Sequence, residues 1–337
     1  MVTKKKTVTK KINRPIKSIA VLCSGGDAPG MNAAIRAVVR TGIGMNLKVY
    51  GIRKGFAGLL EGQMDLMNLS SVGNIIQRGG TILQTSRCAE FHRPEIRKEA
   101  AHIMKRKGID GLVVIGGDGS FNGAMKLHLE NNIPVVGIPG TIDNDIEGTE
   151  YTIGFDTAVQ NAVQAVDNIR DTASSHERTF IVEVMGRSSP NIALKVGLCT
   201  GAENIIFPYK KYSLNQVASD LKRGVKRGKS SSILIVAESS TPGFSYEIQS
   251  LLLKKHKIPS HVCILGHIQR GGTPTAVDRF TGTKMGFLAV KALIANLTAS
   301  ATIYQGGVIQ TTELKNCLKT KKDFDDSSLE LVKLLSI

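Results

Sequence analysis

Short apolar runs alternate along the chain with polar, glycine-bearing turns and amphipathic segments. Residues 19–23, 47–52, 112–115, 133–138, 180–184, 232–237 and 261–265 are apolar runs of strand length. Such continuous runs suit buried strands. Residues 33–40, 94–107 and 158–171 read as helices, the first with a buried stripe of Ile35, Val38 and Val39. Arg36 and Arg40 stand four apart and so share one face of that helix. The recurring order of strand, polar or Gly-rich loop and helix predicts an α/β fold built of doubly wound, mainly parallel sheets. From residue 319 the chain is polar, then weakly helical, and predicts little.

The loops that leave these strands carry the candidate chemistry. Ile115-Gly116-Gly117-Asp118-Gly119-Ser120 follows one run, and Pro139-Gly140-Thr141-Ile142-Asp143-Asn144-Asp145 follows the next. Both lie at the carboxyl ends of strands, where open α/β sheets bind ligands. Gly26, Gly117, Gly119 and Ser120 can offer N–H groups and a hydroxyl to phosphate oxygens, and Asp118 beside them is a candidate Mg²⁺ ligand. Asp143 is a candidate general base. Arg87, Arg178, Arg187 and Arg270 are forked donors suited to phosphate. A Gly-Gly-Asp-Gly run alone also occurs as a plain turn. Several such loops at successive strand ends point to phosphoryl transfer, which needs phosphate positioning, a metal, charge neutralisation and a base.

Composition narrows this picture. The 337 residues suffice for two lobes, and 35 glycines suit many tight turns. No apolar run approaches the ~20 residues of a membrane span. The basic N-terminus lacks a following apolar segment, so no secretory signal is expected. Five cysteines, at 23, 88, 199, 263 and 317, form no Cys-x-x-Cys, and the seven histidines show no His-x-x-x-His spacing. Reduced thiols in a cytoplasm are expected, rather than disulfides or a zinc site. Lys4, Lys5, Lys6, Lys10, Lys11, Arg14 and Lys17 supply +7 of the net +16, which leaves +9 for the rest of the chain. The basic stretch 1–17 reads as a flexible arm. The remaining excess suits binding of anionic small molecules better than of nucleic acid.

The segments Ser24-Gly25-Gly26-Asp27-Ala28-Pro29-Gly30-Met31-Asn32, Gly116 to Ser120, Pro139 to Asp145, Met185-Gly186-Arg187 and Gly266 to Gly272 resemble the phosphofructokinase family, in order and spacing, over about residues 18–300. The resemblance implies an ATP-dependent, cytoplasmic kinase acting on the 1-hydroxyl of fructose 6-phosphate, with Mg²⁺ carried by ATP. It implies an ATP-binding lobe of residues 18–153 plus about 268–315. The sugar-phosphate lobe would be 154–267 plus about 316–337, with the active site in the cleft between the two. Gly26, Arg87, Cys88 and Gly117 to Ser120 would line the ATP site, with Asp118 on the metal. Asp143 would be the base, and Thr141 and Arg187 would stabilise the transferring phosphoryl group. The Thr141-Ile142-Asp143 stretch, Met185, Gly186, Arg187, Glu238 and His267-Ile268-Gln269-Arg270 would hold the sugar phosphate. Arg178 and His261 would reach in from a neighbouring subunit of a homotetramer. Arg36, Arg40, Arg170, Gly201, Glu203, Arg227 and Lys229 would form an effector site for ADP or phosphoenolpyruvate. Pyrophosphate-using relatives typically carry Asp at position 119 and Lys at 140, and glycine at both positions here implies ATP.

Three positions depart from the family pattern. His261 stands where an Arg is usual, and an imidazole, unlike a guanidinium, loses its charge across neutral pH. Ser188-Ser189-Pro190-Asn191 replaces the usual Cys-Gly sequence after Arg187, which signals either a helix start or an altered acceptor pocket. Leu69 stands where a further effector Arg is expected. A changed acceptor sugar phosphate and a non-catalytic nucleotide-binding relative are the alternative expectations.

Overall fold

The structure, a computed structural model, describes residues 15–175, 178–319 and 326–335. Most of the basic arm and parts of the last segment assigned to the sugar-phosphate lobe lie outside the described residues. In chain order the elements are β1 (Ser18–Ser24), α1 (Met31–Gly44), β2 (Lys48–Ile52), α2 (Gly55–Leu60), β3 (Met64–Leu66), α3 (Pro94–Lys107), β4 (Gly111–Gly116), α4 (Asp118–Asn131) and β5 (Val135–Pro139). There follow α5 (Phe155–Ser175), β6 (Thr179–Val184), α6 (Asn191–Thr200), β7 (Asn204–Ile206), α7 (Leu214–Lys226), β8 (Ser232–Ala237), α8 (Phe244–His256) and β9 (Ser260–Ile264). The chain closes with α9 (Ala276–Ile294), β10 (Ser300–Gln305), β11 (Val308–Glu313) and α10 (Asp326–Leu335). Among the described residues no helix is long and apolar enough to cross a membrane.

The chain divides into two units. The first contains one sheet in the order β11-β10-β5-β4-β1-β2-β3. Its central pairs are parallel, and antiparallel β3 and β11 form the edges. Every residue of β1 and β4 is buried. Alternate residues point to opposite faces, so helices must cover both. Ala20, Leu22, Leu112 and Val114 pack with Met104 and Leu127 of α3 and α4 in one core. On α1, Ala34 and Ala37 lie against α9, and the approach is so close that a Cβ on Gly286 would stand 2.6 Å from the Ala34 carbonyl oxygen. Sequence explains α3 well: Pro94 opens it, Lys105, Arg106 and Lys107 fill its last turn, and Gly108 ends it at φ 71°.

The second unit holds the parallel sheet β7-β8-β6-β9. Ile181, Leu234 and Val236 pack with Val217, Leu221, Ile248 and Leu252 of the neighbouring helices. The limits of the units differ from the expected lobe limits by short stretches, the first unit keeping the chain until Thr320. The second unit keeps the chain until Thr275, and it also claims Thr141–Asp145. Hydrogen bonds explain the limit at Thr275: Asn161 Nδ2 donates to the Gly271 carbonyl at 2.9 Å, and Thr275 Oγ1 donates to Asp156 at 2.7 Å.

Candidate active site

In the first unit three loops converge at the carboxyl ends of β1 and β4. Ser120 is buried, and its hydroxyl donates to the Ser24 carbonyl at 2.9 Å. That hydroxyl therefore joins the Gly25-Gly26 turn to the start of α4. Thr85 Oγ1 donates to the Gly25 carbonyl at 2.8 Å and ties in the loop that carries Arg87 and Cys88. Asn32, fully enclosed, holds the same loop: its Nδ2 donates to the carbonyls of Arg78 and Gly79, and its Oδ1 accepts from the Ile82 N–H at 2.8 Å. Asn32 was visible only as part of a motif, because its role depends on residues some fifty positions away.

What these loops present outward is sparse and polar. Arg87, Asp118, Gly119 and Gly26 are exposed, and Gly117 and Cys88 are half-buried. Asp118 and Gly119 form the first turn of α4, where backbone N–H groups lack helical partners and attract anions. Asn122 Nδ2 donates to Asp118 Oδ1 at 3.2 Å and orients the carboxylate. A Cβ added to Gly119 would meet nothing within 4 Å, whereas one on Gly140 would stand 2.9 Å from Ile115 Cγ2 and 3.0 Å from Met31 Cε. Among the described residues no three His, Cys, Asp or Glu side chains cluster to cage a metal. One exposed carboxylate beside the N–H groups of a helix start fits a Mg²⁺ that would arrive on a nucleotide, since that ion keeps waters and phosphate oxygens as most of its ligands.

The second unit gathers the acid–base groups. Asp143 is 7% exposed, and Ile142 beside it is buried. Burial first, then the neighbouring Asp145 carboxylate, push the Asp143 carboxyl up to about 6; Arg270 and Arg187 pull the other way, and Glu238 adds a small upward push. The Asp143 N–H donates to Thr141 Oγ1 at 3.2 Å. Met185 and Gly186 follow β6, and the Met185 N–H donates to Gln269 Oε1 at 3.3 Å. Gln269 is enclosed and also donates to the Gly266 carbonyl at 3.1 Å, so it braces the turn bearing exposed His267, exposed Ile268 and half-buried Arg270. The Arg187 N–H donates to Glu238 Oε2 at 3.4 Å, and the Arg187 side chain is exposed. Gly186 has φ 139° and Arg187 φ 50°. A side chain at 186 would be strained there and would press on the Ser189 carbonyl at 2.8 Å. Pro190 is the residue immediately before α6, with φ −80°, so its place is a helix start.

Two expected acceptor residues lie elsewhere in this unit. Arg178 precedes β6 and His261 is near the start of β9, opposite Phe180, with ring centroids 5.3 Å apart. Met185 to Arg187 follow the other end of β6, about 20 Å along the strand by the usual rise per residue. Within one chain, Arg178 and His261 are therefore not part of the Asp143 cluster. The expected effector residues also divide. Arg36 and Arg40 are on α1 in the first unit, and Leu69, in the same unit, is exposed. In the second unit Arg170 Nη2 donates to the Thr200 carbonyl at 2.5 Å, beside exposed Gly201. Glu203 is buried, accepting from Lys229 Nζ at 2.8 Å and from the Ile233 N–H at 2.5 Å. Arg227 directly follows α7.

Comparison with known proteins bears directly on these loops. The sequence profile described as Phosphofructokinase matches residues 18–293. An ATP-dependent 6-phosphofructokinase of Thermoanaerobacter sp. (strain X514) is 51% identical over 324 residues, covering 96% of this chain and 100% of the relative. Phosphofructokinase from Saccharomyces cerevisiae superposes with TM-score 0.80 at 35% identity over 94% of this chain, which spans 46% of the yeast chain. A pyrophosphate-dependent phosphofructokinase from Marinobacter aquaeolei superposes with TM-score 0.81 at 19% identity, over 94% of this chain and 91% of the other. That last likeness concerns the fold alone, so the fold does not choose the phosphoryl donor. By profile and identity over nearly its whole length, the chain belongs to the phosphofructokinase family.

Proposed function

We propose that the chain transfers the γ-phosphoryl group of ATP to the 1-hydroxyl of fructose 6-phosphate, the glycolytic reaction of an ATP-dependent 6-phosphofructokinase. One observation carries the chemical part: Asp143 is a buried carboxyl raised to about 6, with Arg270 and Arg187 acting on it. A base with that poise is ionised at neutral pH and still has appreciable proton affinity. Asp143 takes the hydroxyl proton as the acceptor oxygen attacks. Arg187 and Thr141 offset charge on the transferring group. Glu238, Met185, Gly186, His267, Ile268, Gln269 and Arg270 form the acceptor's surroundings. Gly26, Arg87, Cys88 and Gly117 to Gly119 receive the nucleotide, and the Ser120 hydroxyl serves by holding their loops together. Asp118 would hold Mg²⁺, which supplies neutralising charge to the donor phosphates.

The space beyond Gly119 favours ATP. An Asp there would project a charge into the open volume that the nucleotide's α-phosphate needs, and glycine leaves it free. The position of Arg178 and His261, away from Asp143, suits a role in a neighbouring subunit's acceptor site and hence a homo-oligomer. Arg36, Arg40, Arg170, Arg227 and Lys229 are cations suited to an anionic effector, with Gly201 beside them; Glu203 orients Lys229.

A coupled assay tests the proposal. Purified protein is offered ATP or pyrophosphate with fructose 6-phosphate or other hexose phosphates, at subsaturating acceptor, with and without ADP or phosphoenolpyruvate. Turnover is expected with ATP and fructose 6-phosphate, and an effector response with one of the two anions. Asp143→Asn is expected to lower kcat by roughly 10²–10⁴-fold. Turnover with pyrophosphate alone, or an unimpaired Asn variant, refutes the respective part.

A further inference from the structure

We propose that Ser189 and Asn191 are positioning residues for the base. They clamp the backbone carbonyls of Asp143 and Asn144 to the start of α6, so that the loop bearing the base and the turn bearing Arg187 form one piece. This rests on the reading of Asp143 as the base.

The contacts are specific. Ser189 is 5% exposed, and its hydroxyl donates to the Asp143 carbonyl at 2.6 Å. Asn191 Nδ2 donates to the Asn144 carbonyl at 2.7 Å and to that of Asp143 at 3.3 Å. Ser189 Oγ also accepts from the Asn191 N–H at 3.4 Å, which links the two donors. The same serine serves the other catalytic group through its backbone. Its N–H donates to the Gly186 carbonyl at 2.8 Å and closes the turn in which Arg187 takes φ 50°. Asn144 is itself left-handed, at φ 49°. Two adjacent loops with such backbone conformations need outside support, and the two side chains provide it. Removing them leaves buried carbonyl oxygens without these donors, which costs more than the bonds' net worth.

The clamp also controls the environment that sets the base. The groups facing the Asp143 carboxyl are Asp145, Glu238, Arg187 and Arg270, and burial is the largest influence. A released loop admits water and lessens that influence.

Steady-state kinetics of Ser189→Ala, Ser189→Thr and Ser189→Ala/Asn191→Ala test this, with Asp143→Asn as control and a thermal melt to confirm folding. Ser189→Ala is expected to lower kcat about 3–10-fold, and the double variant about 30–100-fold, with KM for ATP unchanged. The acid limb of the pH–rate profile should move to lower pH. Ser189→Thr, which keeps the hydroxyl, should restore most of kcat. A folded double variant with wild-type kcat and an unmoved acid limb overturns the clamp. If the double variant does not fold, the two single variants decide: equal effects of Ala and Thr, or none, overturn it. Activity retained in Asp143→Asn would instead overturn the base assignment and leave the clamp contacts as a structural matter.

Discussion

At the scale of a residue, Asp143, as the proposed base, sets catalysis and stability in opposition. Its carboxyl is raised to about 6 in the folded chain, chiefly by burial. An unfolded chain would ionise it near the ordinary ~3.9. Folding therefore favours the protonated form. The contribution to stability is present below about pH 4 and is lost as pH rises through 6. Under the proposed role of Asp143 activity has the reverse dependence, because a base must be ionised. The acid limb of kcat is expected near pH 6, checked by a pH–rate profile with saturating substrates. Asp143→Asn should abolish that limb and, above pH 6, stabilise the fold by on the order of 2–3 kcal/mol. Chemical denaturation at pH 5 and pH 8 checks this. A variant equally stabilised at both values, or destabilised at pH 8, contradicts the burial argument.

At the scale of an element, the clearest constraint is the contact of α1 with α9. Gly286 has backbone and Ala37 in the space a side chain would take, at 2.6 and 2.8 Å. Gly286→Ala is expected to cost about 1–3 kcal/mol, read as a melting point lowered by several degrees with kcat little changed. Sequence gives no sign of α9, which the helices read from the apolar pattern do not include. Buried Met285, Ala289 and Leu293 share it with exposed Val277, Phe280 and Phe287, so no single apolar stripe marks its inner face. By contrast α3 announced both ends through Pro94 and Gly108, and β8 coincided with the apolar run 232–237. The β10–β11 hairpin had a readable signal in Gly306-Gly307, both with positive φ. The glycine-rich loops at the strand ends, and the place of Asp143 on one of them, were legible because glycine and carboxylate patterns there are local. The supports Asn32, Ser189 and Asn191 were not, since their partners lie more than forty positions away.

At the scale of the whole molecule, His261 matters through the company it keeps. It pairs in register with Phe180, two residues from Arg178, on the outermost strand of the second unit's sheet. If these residues complete a neighbour's acceptor site, His261→Arg adds a permanent charge to the sugar's phosphate. Apparent affinity for fructose 6-phosphate at pH 8 should then tighten roughly 10-fold or more, the worth of a charged hydrogen bond. Titration of initial rates against sugar phosphate at pH 6.5 and pH 8 checks this; an equal KM in both proteins at pH 8 contradicts it. Donor choice has a consequence of another kind, for descent. Position 119 opens onto empty space, while a side chain at 140 crowds both Ile115 and Met31. If these positions select the donor, a lineage moving toward pyrophosphate could accept a new residue at 119 at once, whereas a change at 140 requires Ile115 and Met31 to give way. Packing thus favours change at 119 before change at 140, and reversal is easiest while 140 is still glycine.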